Sequence, residues 1–156
     1  MPTDGPTPTR PIKEATSQRE RDLVAFWELA IPSLSKALPI FATTRPRPYA
    51  FITKSVRGTT YRVNIKLDDA SMWVMVRGRT SGETAARFER LRKGQGALKE
   101  AFGEGIGFVG PEDATHPFIG ARLSDRGMRN RDAWAEVIQD IVANAVRFYE
   151  AVQPFA

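Results

Sequence analysis

Cysteine is absent from this 156-residue chain, and histidine occurs once, at His116. The first absence excludes disulfides and thiolate zinc sites, and the second leaves a conventional transition-metal centre short of ligands. No apolar run approaches the ~20 residues that span a bilayer, and the N-terminus lacks a signal-peptide core. A cytoplasmic protein with no membrane contact, no metal and no cofactor is therefore expected. Internal repeats are also missing. So is the Pro-Asp…Asp/Glu-x-Lys arrangement that a metal-dependent nuclease would need.

What is present describes an ordinary globular chain, with 42% hydrophobic and 26% charged residues. A chain of about 150 residues buries roughly 70% of its unfolded surface, enough for one real core. Lys and Arg total 23 against 18 Asp and Glu, a formal charge of +5, with a pI near 9.9. An Arg-rich excess suits a polyanionic partner, because the guanidinium fork matches phosphate oxygens. A net charge of roughly 2 to 8 is equally what keeps a small domain soluble.

Residues 1–16 read as a flexible Pro/Thr-rich arm with nothing apolar to anchor it. Residues 17–156 read as a single domain. Ser17-Gln18-Arg19-Glu20 has the capping-box spacing, and Leu23, Phe26, Trp27, Ala30, Ile31 and Leu34 behind it share one helical face. Pro32 should kink or restart that helix. After the basic connector Arg45-Pro46-Arg47-Pro48, three strands are expected, over 49–56, 60–67 and 72–77. In the second, Tyr61, Val63, Ile65 and Leu67 alternate with Arg62, Asn64 and Lys66. Gly58 and Asp68-Asp69-Ala70-Ser71 supply turn chemistry, so the strands should form an antiparallel meander.

A helix over 84–102 follows, weakened by Gly94 and Gly96 and stopped by Gly103. Short strands over 106–109 and 118–123 flank a Pro111-Glu112-Asp113 turn. The clearest element is the last helix, in which Trp134, Val137, Ile138, Ile141, Val142, Ala145, Phe148, Tyr149 and Val152 keep the helical period. The order α-βββ-α-ββ-α predicts an α+β fold, an antiparallel sheet of about five strands with helices packed on one face.

Phe26-Trp27-Glu28, the three-strand meander, Phe88-x-x-Leu91, and Trp134 leading to Phe148-Tyr149 and Pro154-Phe155 resemble the bacterial domain-of-unknown-function family 4268. The resemblance covers about residues 19–156. That family commonly lies C-terminal to a restriction-endonuclease-like nuclease domain, which implies a defence or DNA-processing setting. The length of this chain leaves no room for such a nuclease, so nuclease activity is not carried over. Phe108 stands where the family tends to carry Trp, a change expected to affect core packing alone.

Several motifs have plainer readings than their chemistry suggests. Gly105, Gly107 and Gly110 match G-x-G-x-x-G, but a helix precedes them and Pro111 follows, which is the wrong context for a dinucleotide site. Asp68-Asp69 and Glu112-Asp113 fall in turns rather than in a converging oxygen cage. His116 reads as a turn or strand-edge residue, kept as an acid–base candidate by its titration range. Arg87, Arg90, Arg92, Lys93 and Lys99 mix with Glu83, Glu89 and Glu100, the pattern of a solvated helix face.

The strongest candidate is the polar side of the sheet. Arg62 and Lys66 share one side of the second strand, and Lys54 and Arg77 are expected to join them from its neighbours. Arg45, Arg47, Arg57 and Arg79 lie at the connectors. Cations spread over a sheet can follow a phosphate backbone, with Trp73 or Tyr49 stacking on bases if exposed. The competing reading is a solvated face with both rings in the core. The expectation is a non-catalytic accessory domain that binds nucleic-acid phosphates through this face. The alternative is a protein-interaction or homodimerisation module using the same face.

Overall fold

The computed structural model describes residues 17–110, 112 and 116–156. The arm expected over 1–16 lies outside them, as do Pro111 and Asp113 of the expected turn. Helix α1, Gln18–Ala37, starts where the capping pattern puts it, with the Glu20 amide donating to Ser17 Oγ at 3.1 Å. It continues through Pro32 as one helix, so of the two expected effects of that residue the restart does not occur. Pro32 and Glu28, whose carbonyl loses its helical donor, both lie on the exposed side of the helix, open to solvent. The helix stops at Leu38, held extended at φ −126° before Pro39.

Strands β1 (Phe51–Val56), β2 (Thr59–Ile65) and β3 (Ala70–Val76) form the expected meander. The β1–β2 loop is two residues long, with φ of 52° at Arg57 and 82° at Gly58, the pattern of a type I′ hairpin. Arg57 is poorly suited to that left-handed position, so Arg57→Asn should raise stability by about 0.5–1 kcal/mol. An increase in the urea midpoint at unchanged slope is the expected readout. Leu67 departs from the expected alternation: it lies beyond β2 and is 53% exposed, because the Asp68–Asp69 turn diverts the chain before its side chain reaches the core.

The helix expected over 84–102 is two helices, α2 (Ser81–Lys93) and α3 (Gln95–Phe102), with the break at Gly94. A Cβ at Gly94 would sit 2.6 Å from the ring of Phe155, so glycine here both ends α2 and admits the C-terminal aromatic. Strands β4 (Ile106–Val109) and β5 (Phe118–Ser124) follow, then α4, Trp134–Val152. The whole is an α+β fold with a five-stranded antiparallel sheet in the order β1-β2-β3-β5-β4. Phe108 of β4 meets Phe88 of α2 edge-on, with 6.3 Å between ring centroids.

One side of the sheet is closed by helices. Tyr61, Val63, Ile65, Met72, Val74, Ile119 and Leu123 are buried beneath them, together with Leu91, Leu98, Ile141 and Phe148. Phe26 of α1 packs edge-to-face on Trp27 and on Trp134 of α4, at 5.4 and 5.3 Å. The Trp27 indole donates to the Tyr49 carbonyl at 2.8 Å, which ties the entry to β1 onto α1. No described helix is long and apolar enough to cross a membrane.

Candidate nucleic-acid interface

The other side of the sheet has no described helix on it. Strand parity places Phe51 and Thr53 of β1, Thr60, Arg62 and Asn64 of β2, Ser71, Trp73 and Met75 of β3, and Phe118, Gly120 and Arg122 of β5 on this side. Arg62 lies directly opposite Trp73, and Phe51 and Phe118 take the diagonal positions on the outer neighbours. The result is a continuous stack across four strands. Tyr49 stacks on Phe51 at 5.8 Å, and the Arg62 guanidinium lies 4.1 Å from the Phe51 ring and 5.6 Å from Trp73. Trp73 in turn stacks on Phe118 at 4.5 Å.

Gly120 sits opposite Trp73, and a Cβ there would come within 3.1 Å of the indole. The ring therefore lies across bare backbone. Polar pairs border the stack, Ser55 with Thr60 at 2.8 Å and Asn64 with Ser71 at 3.2 Å.

The expected binding residues are only partly brought together. Arg62 is at the centre, but it is half-buried between two rings, and its Nε is buried with no hydrogen-bond partner among the described residues. It organises the stack rather than standing free for phosphate. Lys66 is exposed just beyond β2, beside a shallow cleft of about 350 Å³ that Asn64, Trp73, Gly120 and Arg122 also line. Arg77 is exposed past the end of β3, at the far end of the face, next to His116.

Lys54 is a correction. It pairs with Tyr61, so it belongs to the helix-covered side at the sheet edge, where its ammonium donates to Thr43 Oγ1 at 3.3 Å. Arg122, Phe51 and Phe118 were missed as members of the open face. The two-residue hairpin was the available signal for β1: it pairs 56 with 59, which puts 54 against 61 and 51 against 64.

Other motifs are occupied structurally. Asp68 holds Arg129 through two bonds, at 2.7 and 2.8 Å, and that guanidinium keeps its carboxyl below the usual range. Asp69 faces Arg122 at 3.8 Å. Gly107 lies within β4, and a strand rather than a helix follows Gly105. His116 is exposed, in a hollow with Thr60, Met75 and Arg77. No group of three or more His, Cys, Asp or Glu side chains suited to a metal occurs among the described residues.

Arg87 is not the simple solvent cation its spacing suggests. Its guanidinium donates to Thr59 Oγ1 at 2.7 Å and to the Arg77 carbonyl at 2.6 Å, clamping α2 to the ends of β2 and β3. Nearby, Tyr61 accepts from the Gln153 amide at 2.8 Å, while burial pushes its phenol above the ordinary value. Comparison with protein-family models, with curated proteins and with solved structures finds no match to this chain.

Proposed function

We propose that the domain is a non-catalytic module that binds single-stranded nucleic acid on its open sheet face. The bacterial DNA-processing setting implied by the resemblance to family 4268 belongs to the same proposal. The observation that carries it is the Tyr49–Phe51–Arg62–Trp73–Phe118 stack on a face bordered by Lys66, Arg77 and Arg122. Unpaired bases offer π-faces to such rings, and each base stacked is worth about 1–3 kcal/mol, with little dependence on sequence. Exposed cations at both ends of the face suit the phosphates on either side. A duplex keeps its bases stacked internally, which makes it the poorer ligand for this surface.

Intrinsic fluorescence offers a direct test, because Trp27 and Trp134 are buried and Trp73 alone of the three tryptophans lies on the open face. Oligothymidylate added at about 50 mM salt should quench the emission, with a log–log salt slope of about −0.7 per phosphate contacted. Trp73→Leu should weaken binding about tenfold, as expected for one lost stack. Changing Lys66 and Arg122 together to Glu should flatten the salt slope. Absence of any complex at that salt concentration would rule the function out. Self-association that survives salt and disappears in Trp73→Leu would instead assign the face to protein contact.

A further inference from the structure

The free edge of β1, which adjoins the stack at Tyr49 and Phe51, has the features of a strand-addition site. The Ile65 amide donates to the Ala50 carbonyl at 2.8 Å, and the register continues from there without a bulge. The backbone groups of Ile52, Lys54 and Val56 are consequently spent on β2, and those of Phe51, Thr53 and Ser55 point away from the sheet. No described backbone group pairs with these three. The extended connector supplies the opposite wall of a groove of about 360 Å³, where Arg45, Arg47 and Lys54 stand with Thr43, Thr44 and Tyr49. No acidic side chain lines it among the described residues.

We propose that this groove takes an extended acidic peptide segment of another protein, added to β1 as a sixth strand. Two observations select that occupant. The edge presents alternating N–H and C=O groups, and a peptide strand answers both, whereas a phosphodiester offers acceptors but no donors for the carbonyls of Phe51, Thr53 and Ser55. The three cations of the groove favour carboxylates on that strand. A second copy fits less well, because β1 pairing with its own symmetry mate would bring two sets of Arg45, Arg47 and Lys54 together.

The test uses the whole chain and a fluorescein-labelled, acetylated Glu-Val-Glu-Thr-Glu-Val-Glu peptide. Saturable binding is expected, with slowed hydrogen exchange at the Phe51, Thr53 and Ser55 amides. Thr53→Pro removes the central outward donor at an edge position where proline is tolerated, and should abolish binding with β1–β2 intact. Arg45→Glu combined with Arg47→Glu changes exposed residues alone and should weaken binding at least tenfold. The same peptide with Lys in place of Glu should not bind. Equal affinity of the Thr53→Pro and wild-type proteins would overturn the proposal, as would failure of the acidic peptide to bind. Self-association abolished by Thr53→Pro without any peptide would give the edge to a second copy. Oligothymidylate displacing the peptide without protecting those amides would give the groove to phosphate. Either result also overturns the proposal.

Discussion

Replacing Ile141 by alanine is expected to cost about 2–5 kcal/mol, the range for truncating a fully enclosed aliphatic side chain. Ile141 stands midway along α4, between the buried Val137 and Ile138 on one side and Ala145 and Phe148 on the other. The void would be lined by buried side chains, so the loss should combine the transfer and cavity terms. In thermal unfolding each kcal/mol should lower Tm by roughly 2–4 °C for a domain of this size. Gln139→Ala, on the exposed side of the same helix, should stay within about 0.5 kcal/mol of wild type. A loss under about 0.5 kcal/mol for Ile141→Ala would mean that the apolar stripe of α4 faces away from the core.

Gly127→Ala should be comparably damaging for a different reason. A methyl group there would overlap the Lys66 carbonyl and the Leu67 backbone, neither of which is the end of a flexible side chain. The segment cannot back away freely. The Met128 amide donates to the Lys66 carbonyl, the Arg129 amide to the Leu67 carbonyl, each at 3.0 Å, and the Trp134 indole to the Met128 carbonyl at 3.0 Å. Relieving the overlap puts all three bonds at risk, at about 0.5–1.5 kcal/mol each, so a loss on the order of 2–4 kcal/mol is expected. The exposed Arg129–Asp68 pair adds little to that figure. Gly96→Ala is the natural contrast, since nothing lies within 4 Å of a Cβ there and the site is inside α3. It should stabilise by about 0.5–1 kcal/mol. Chemical denaturation of the two variants should therefore move the midpoint in opposite directions.

The elements legible in the sequence are those whose own period decides their environment. The α4 stripe and the Tyr61–Val63–Ile65 alternation are complete within one segment, and both lie where the pattern puts them. At Pro32 the local penalty does not end the helix, because the residue lies on the exposed side of α1 while the buried stripe on either side holds the segment helical. Leu67 continues the apolar alternation past the point where the turn begins, so the pattern overruns the strand. The site depended on relations between strands. Lys54 and Arg62 look equivalent until hairpin length fixes their parity, and the meeting of Trp73 with Phe118 requires that β5 lie beside β3. Nothing local in residues 118–124 announces that neighbour. The Arg62 stack needed the whole register before its rings and guanidinium could be lined up.

The strand order also bears on how the chain assembles. The β1–β2–β3 meander joins near neighbours and can form early. Its apolar side, with Val63, Met72 and Val74, is covered only when β5 has docked against β3 and α4 has closed against α1. Those contacts link distant parts of the chain, and closing such long loops comes before any return from the contacts themselves. Folding should therefore be slower than in a helical bundle of similar size. Until those distant contacts close, the apolar side of the sheet is open to water, so aggregation and chaperone capture would concentrate on incompletely folded chains rather than on the finished domain.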